Sequence, residues 1–200
     1  MINRTYQTEL RRVFLIHDLP EPLTRASSHL QIFDNYIENT RLRLRSVRVP
    51  ETKEWTYILE QRFPLEDLTQ WKVSEIHLDE AEHTVFEQFE GRHIQKNERI
   101  ESNEIRKNRY FHEFDGRQIE FDVFLGNLWG LNMAKVVFDD IQELQNFEIL
   151  PFFFREITNS RFFTGENLVG KGFADVQKEF EKLGTPSSGR QNCASWNAVI

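Results

Sequence analysis

At 200 residues the chain is long enough for one domain with a substantial core, and its 18 Phe supply material for an aromatic one. A formal net charge of −7 argues against broad nucleic-acid binding, and a single cysteine, Cys193, excludes an internal disulfide and a multi-cysteine zinc site. No apolar run reaches membrane-spanning length, and the polar stretch from Met1 to Arg12 lacks a signal-peptide segment, so a cytoplasmic protein with no membrane partner is expected.

In chain order, Thr5 to Leu15 reads as a strand that ends before Asp18, Pro20 and Pro22. A second strand is expected over Gln31 to Tyr36, followed by Arg41-Leu42-Arg43-Leu44-Arg45. Strict alternation there puts three guanidiniums on one face and two leucines on the other. Three arginines side by side repel one another unless they face a dense anion, and a guanidinium grips phosphate oxygens through two parallel hydrogen bonds. Trp55 to Phe63 alternates again, and Trp71 to Leu78 is a further strand. Asp79 reads as the N-cap of a helix with Glu80 and Glu82 in its first turn and Val85, Phe86 and Phe89 as its apolar contacts.

Beyond Gly91 come strands over Glu104 to Phe114, Gln118 to Leu125 and Asn132 to Phe138, the first two joined by Asp115-Gly116, a strong hairpin signal. Helices are expected over Asp139 to Asn146 and Ala174 to Leu183, with a mobile tail after them. The cluster Phe152-Phe153-Phe154 with Phe162 and Phe163 reads as core packing or a cap on one barrel end; an exposed partner patch is the alternative. Gly165 to Gly172 resembles a P-loop but ends on Gly172, where a hydroxyl residue is required, and lacks the preceding buried strand. The six histidines show no metal-ligand spacing and read as mostly surface or loop residues.

One face of each strand carries charge that a core would reject. Glu60 shares a face with Arg62, Lys107 with Arg109, and Glu120 with Asp122. A half-solvated open sheet explains each strand separately. A closed barrel with a wet, charged lumen explains them together, arginines meeting phosphate and carboxylates meeting a hard divalent cation.

The order of these pieces resembles the CYTH family, which includes class IV adenylyl cyclases, thiamine triphosphatases and triphosphate-tunnel metalloenzymes. Glu9 to Phe14 looks like its opening E-x-E-R-K-F strand, and Arg41 to Arg45 like its R-x-R strand. Leu59 to Arg62 is similar to its L-T-x-K, and Glu75-Ile76 to its acidic strand before the first helix. Ile105 to Tyr110 is similar to I-x-K-x-R-Y, and Glu120 to Gly126 to E-x-D-x-F-x-G. Gly130-Leu131 falls at its G-L pair and Ala134 to Phe138 at A-E-V-E-F. Glu156-Ile157-Thr158, Arg161-Phe162 and Asn167-Leu168 look like its closing E-V-T, R-Y and N-x-L.

The resemblance implies an α+β fold dominated by an eight-stranded antiparallel closed barrel with a few flanking helices. The tunnel domain would span residues 1–172, with a C-terminal helix and tail over 173–200. It implies a triphosphate-containing ligand (inorganic triphosphate, nucleoside triphosphate or thiamine triphosphate) held by Arg41, Arg43, Arg45, Arg62, Lys107, Arg109 and Arg161. It further implies Mg²⁺ or Mn²⁺ on Glu9, Glu75, Glu120 and Asp122, with Glu9, Glu120 and Asp122 serving a triphosphate phosphohydrolase. A catalytically impaired binding module and adenylyl cyclase activity are the alternatives. Departures weaken the metal site: Arg11, Lys135 and Val137 stand where the family has glutamates, and Val13 where it has lysine. Oligomeric state is not legible.

Overall fold

In the computed structural model, which describes residues 6–91, 93–96 and 99–183, eight antiparallel strands close into a barrel. These are β1 (Gln7–Leu15), β2 (Leu30–Tyr36), β3 (Leu42–Arg48), β4 (Trp55–Pro64), β5 (Gln70–Leu78), β8 (Glu104–Phe114), β9 (Arg117–Phe124) and β10 (Asn132–Phe138). Between β5 and β8 lies a separate hairpin, β6 (His93–Lys96) and β7 (Arg99–Ser102), while β11 (Arg155–Glu156) pairs with the end of β1. Around the barrel the order is β1-β5-β4-β3-β2-β8-β9-β10, and β10 returns to β1 with Val13 opposite Lys135 and Arg11 opposite Val137. Closure removes both free edges. It also settles the choice between an open solvated sheet and a closed barrel.

Local chemistry fixes the turns. Asp115 and Gly116 both take positive φ, 55° and 74°, the backbone that a two-residue hairpin between twisted strands demands. Asp79 caps α1 (Glu80–Phe86) in a reciprocal capping box with Glu82, and Asp140 caps α2 (Ile141–Asn146) through the Glu143 amide. In α1 the expected contact Val85 is exposed instead. His83 turns inward, stacked on Tyr57 with ring centroids 3.7 Å apart and its Nε2 3.0 Å from Glu90 Oε1.

Much of the hydrocarbon core lies outside the charged part of the lumen, while Ile105, Phe124, Ile157 and Phe163 line one end of the cavity. On the outer face of β1, β8, β9 and β10, Phe14, Tyr110, Ile119, Phe121, Val136 and Phe138 are buried beneath Leu144, Phe147, Phe152 and Phe153. The Phe14 and Phe153 rings stack at 4.1 Å. A second cluster joins Leu15, Ile105, Phe124 and Leu131 to Ile157, Phe163, Leu168 and Val176. It packs α3 (Gly165–Leu168) and α4 (Phe173–Lys182) against one end of the barrel. Each such buried side chain contributes roughly 1.5–3 kcal/mol. The phenylalanine run therefore serves as core and cap.

Gly165 begins a four-residue helix with no parallel strand before it, consistent with setting the P-loop aside. The tail beyond Leu183, with Cys193, lies outside the described residues. Among the described residues no helix is long and apolar enough to cross a membrane.

Candidate functional site

Alternation along the closed strands sends one charged face of each into the lumen, where a belt of ion pairs circles the barrel. Its two strongest nodes are bidentate. Arg45 on β3 donates to Asp34 on β2 through Nε (2.6 Å) and NH2 (2.9 Å), and Arg109 on β8 donates to Asp122 on β9 through Nε (2.7 Å) and NH2 (2.8 Å). The Lys107 ammonium lies between them, 2.7 Å from Asp122 and 3.9 Å from Asp34. From Asp34 the belt runs to Arg43 (3.1 Å), on to Glu60 (2.6 Å), then Arg62 (3.5 Å) and Glu9 (2.6 Å). On the other side Arg109 meets Glu120 at 2.5 Å. Lys135 on β10 closes the circle, 3.0 Å from Glu120 and 3.5 Å from Glu9.

Five carboxylates thus alternate with five cations, and Arg45 and Arg11 make seven cations in all, a surplus of two. All seven line a cavity of about 100 Å³, together with Tyr36, Trp71, Thr158 and Gly165. At roughly 10–15 Å³ per ordered water, that space takes several waters or a short chain of phosphoryl groups. The Arg11 guanidinium sits over the Trp71 ring at 4.2 Å. The Nε atoms of Arg11, Arg43 and Arg62 are buried without a hydrogen-bond partner, leaving donors that an anion can satisfy.

Burial would raise the carboxylates, but their cations outweigh it. Asp34 is held well below the usual range by Arg43 and Arg45, Asp122 by Arg109 and Lys107, and Glu9 by Lys135, Arg62 and Arg11. Glu60 comes to about 2 through Arg43 and Arg62. The cations respond to burial as well. Desolvation lowers Lys107 to about 8 against the pull of Asp122, and lowers Arg11 to about 10 with help from Arg62. Arg109 is raised, its carboxylate partners outweighing burial.

Most of the expected ligand residues meet here: Arg43, Arg45, Arg62, Lys107 and Arg109 line the cavity. Two do not. Arg41 lies one residue before β3, is exposed, and rests on the Phe63 ring at 4.6 Å. Arg161 is exposed at the start of a 3-10 turn, where its carbonyl accepts from Thr164 and Asn167. Asp34 and Tyr36, not singled out from sequence, stand at the centre, and the Tyr36 hydroxyl accepts from Arg43 at 3.2 Å. Asp34 and Tyr36 both stand on one face of β2, two residues apart.

The four carboxylates expected to hold a dication fit it poorly. Glu9, Glu120 and Asp122 are each bound by two or more cations, and Glu75 is exposed opposite Glu60, its carboxyl raised by burial and by that neighbour. Among the described residues no three acidic, histidine or cysteine side chains group as a metal site.

No family model matches the chain, and no curated protein matches it significantly. Among solved structures, one described as the hypothetical protein NE1496 is 21% identical, covers 82% of this chain and 99% of its own, with a TM-score of 0.52. Another, described as the inorganic triphosphatase NE1496, is 22% identical over 80% of this chain and 93% of that one, with a TM-score of 0.51. At such identities the likeness is one of fold. The closed eight-stranded barrel with its charge-lined lumen is the fold that the sequence resemblance implies.

Proposed function

We propose that the tunnel binds the phosphate chain of a small molecule: inorganic triphosphate, a nucleoside triphosphate or thiamine triphosphate. The observation that carries this reading is the convergence of seven cations on one cavity, within a belt of ion pairs whose carboxylates number five. A bound polyanion offsets the surplus and supplies acceptors for the orphaned guanidinium Nε donors. The test is calorimetric titration with tripolyphosphate, ATP and thiamine triphosphate, with sulfate as the control. The reading expects a Kd below about 100 μM for at least one phosphate chain, some 5 kcal/mol or more of binding. Affinity no better than that for sulfate would sink it.

Hydrolysis of the terminal phosphate is a second reading, favoured by the likeness in fold to the structure described as an inorganic triphosphatase. Phosphoryl transfer rests largely on positioning and charge neutralisation, which Arg43, Arg45, Arg62, Lys107 and Arg109 can supply. Glu9, Glu120 and Asp122 are weak proton acceptors while their cations hold them ionised. Phosphate release from tripolyphosphate or ATP, assayed with and without Mg²⁺ or Mn²⁺ and lost in Glu120→Gln, would support it; release at the uncatalysed rate leaves binding as the function.

A further inference from the structure

This inference rests on the reading of the cavity as a phosphate-chain site and concerns how its carboxylates are balanced. Lys135 leaves β10 between β9 and β1, the strands that carry Glu120 and Glu9. Its Nζ lies 3.0 Å from Glu120 Oε2 and 3.5 Å from Glu9 Oε2. Two carboxylates from flanking strands therefore share one ammonium across the seam, while Arg109 also holds Glu120 at 2.5 Å.

A hard dication bound by oxygen ligands is one way to bridge such a pair. Here the chain supplies the charge on its own tether. We propose that the Lys135 ammonium occupies the place of a bound dication, so that the tunnel takes up a phosphate chain without Mg²⁺ or Mn²⁺.

Neighbouring side chains strengthen the case. Arg11, inward on β1 beside Glu9, adds a second cation at the same seam, 3.5 Å from the Glu9 carboxylate and braced on Trp71. Arg62 makes a third contact to Glu9 at 2.6 Å. A dication entering here has to displace a lysine and three arginines, Arg109 on Glu120 included, that cannot diffuse away. Charge count sets much of the affinity for hard ions, and this pair of acids is already over-neutralised. Magnesium in solution instead competes with the tunnel for the free polyphosphate.

The test titrates the wild-type chain with tripolyphosphate in EDTA and again in excess Mg²⁺. The proposal expects affinity in EDTA equal to or greater than that in Mg²⁺. Binding about tenfold tighter with Mg²⁺, or seen only with it, overturns the proposal while leaving the phosphate-chain reading intact; no binding in either buffer overturns both. Titration of Mn²⁺ alone, without phosphate, gives an independent readout. Wild type should show no site, while Lys135→Glu, placing three carboxylates at the seam, should gain one. Wild-type Mn²⁺ binding that Lys135→Glu leaves unchanged would contradict the proposal.

Discussion

Lys107 is the tunnel cation whose charge is closest to changing near neutral pH, because burial lowers it to about 8 from an ordinary value of 10.5. The sign follows from linkage. Between those values the native state binds fewer protons than the unfolded chain, so this group makes stability rise with pH across that window. Anion affinity moves the other way, since binding favours the charged lysine. Tripolyphosphate affinity should therefore fall between pH 7 and pH 9.5 by about tenfold relative to Lys107→Arg, whose guanidinium stays charged and whose titration carries the ligand's own ionisation. Parallel pH profiles for the two proteins would show that Lys107 does not face the ligand. Acid acts on the opposite partners: Glu60, held near 2, contributes stability that is complete above its ordinary 4.5 and lost as pH falls toward 2. A urea midpoint that did not fall across that interval would contradict the belt of ion pairs. At this scale the sequence was legible wherever alternation ran inside a strand, as at Arg43 and Arg45. It misled at Arg41, where the same alternation ran past the strand's first residue, and a lone acid such as Asp34 gave no cue that a guanidinium on the next strand would grip it.

At the scale of elements, the small helix α3 governs one end of the cavity. A Cβ added to Gly165 would sit 1.8 Å from the Tyr36 hydroxyl, and that hydroxyl accepts from Arg43. Gly165→Ala should push Tyr36 aside, loosen Arg43 and cost roughly tenfold in tripolyphosphate affinity, about 1.4 kcal/mol, while the barrel stays folded. Unchanged affinity with an unchanged melting temperature would mean that α3 stands clear of the site. Such a helix is hard to foresee, because four residues are too few to express a helical period. The strands and the Asp115-Gly116 hairpin were readable because alternation and turn chemistry are local. The β6–β7 hairpin was missed, and His83 took the place expected of Val85 because the lie of α1 on the barrel is a tertiary matter.

For the whole molecule, the decisive event is the pairing of β1 with β10, which brings together residues more than a hundred positions apart. Alternation alone cannot announce it, since an open sheet wetted on one face carries the same pattern. Closure turns separate charged faces into one belt and moves the hydrocarbon core to the outside and to one end, where the aromatic residues are spent. The most direct test is a crystal structure of the protein grown with tripolyphosphate in EDTA. The account predicts phosphate oxygens inside the lumen within hydrogen-bonding distance of Arg43, Arg45, Lys107 and Arg109; a water-filled lumen with the anion on the outer surface, beside Arg41 or Arg161, would contradict it.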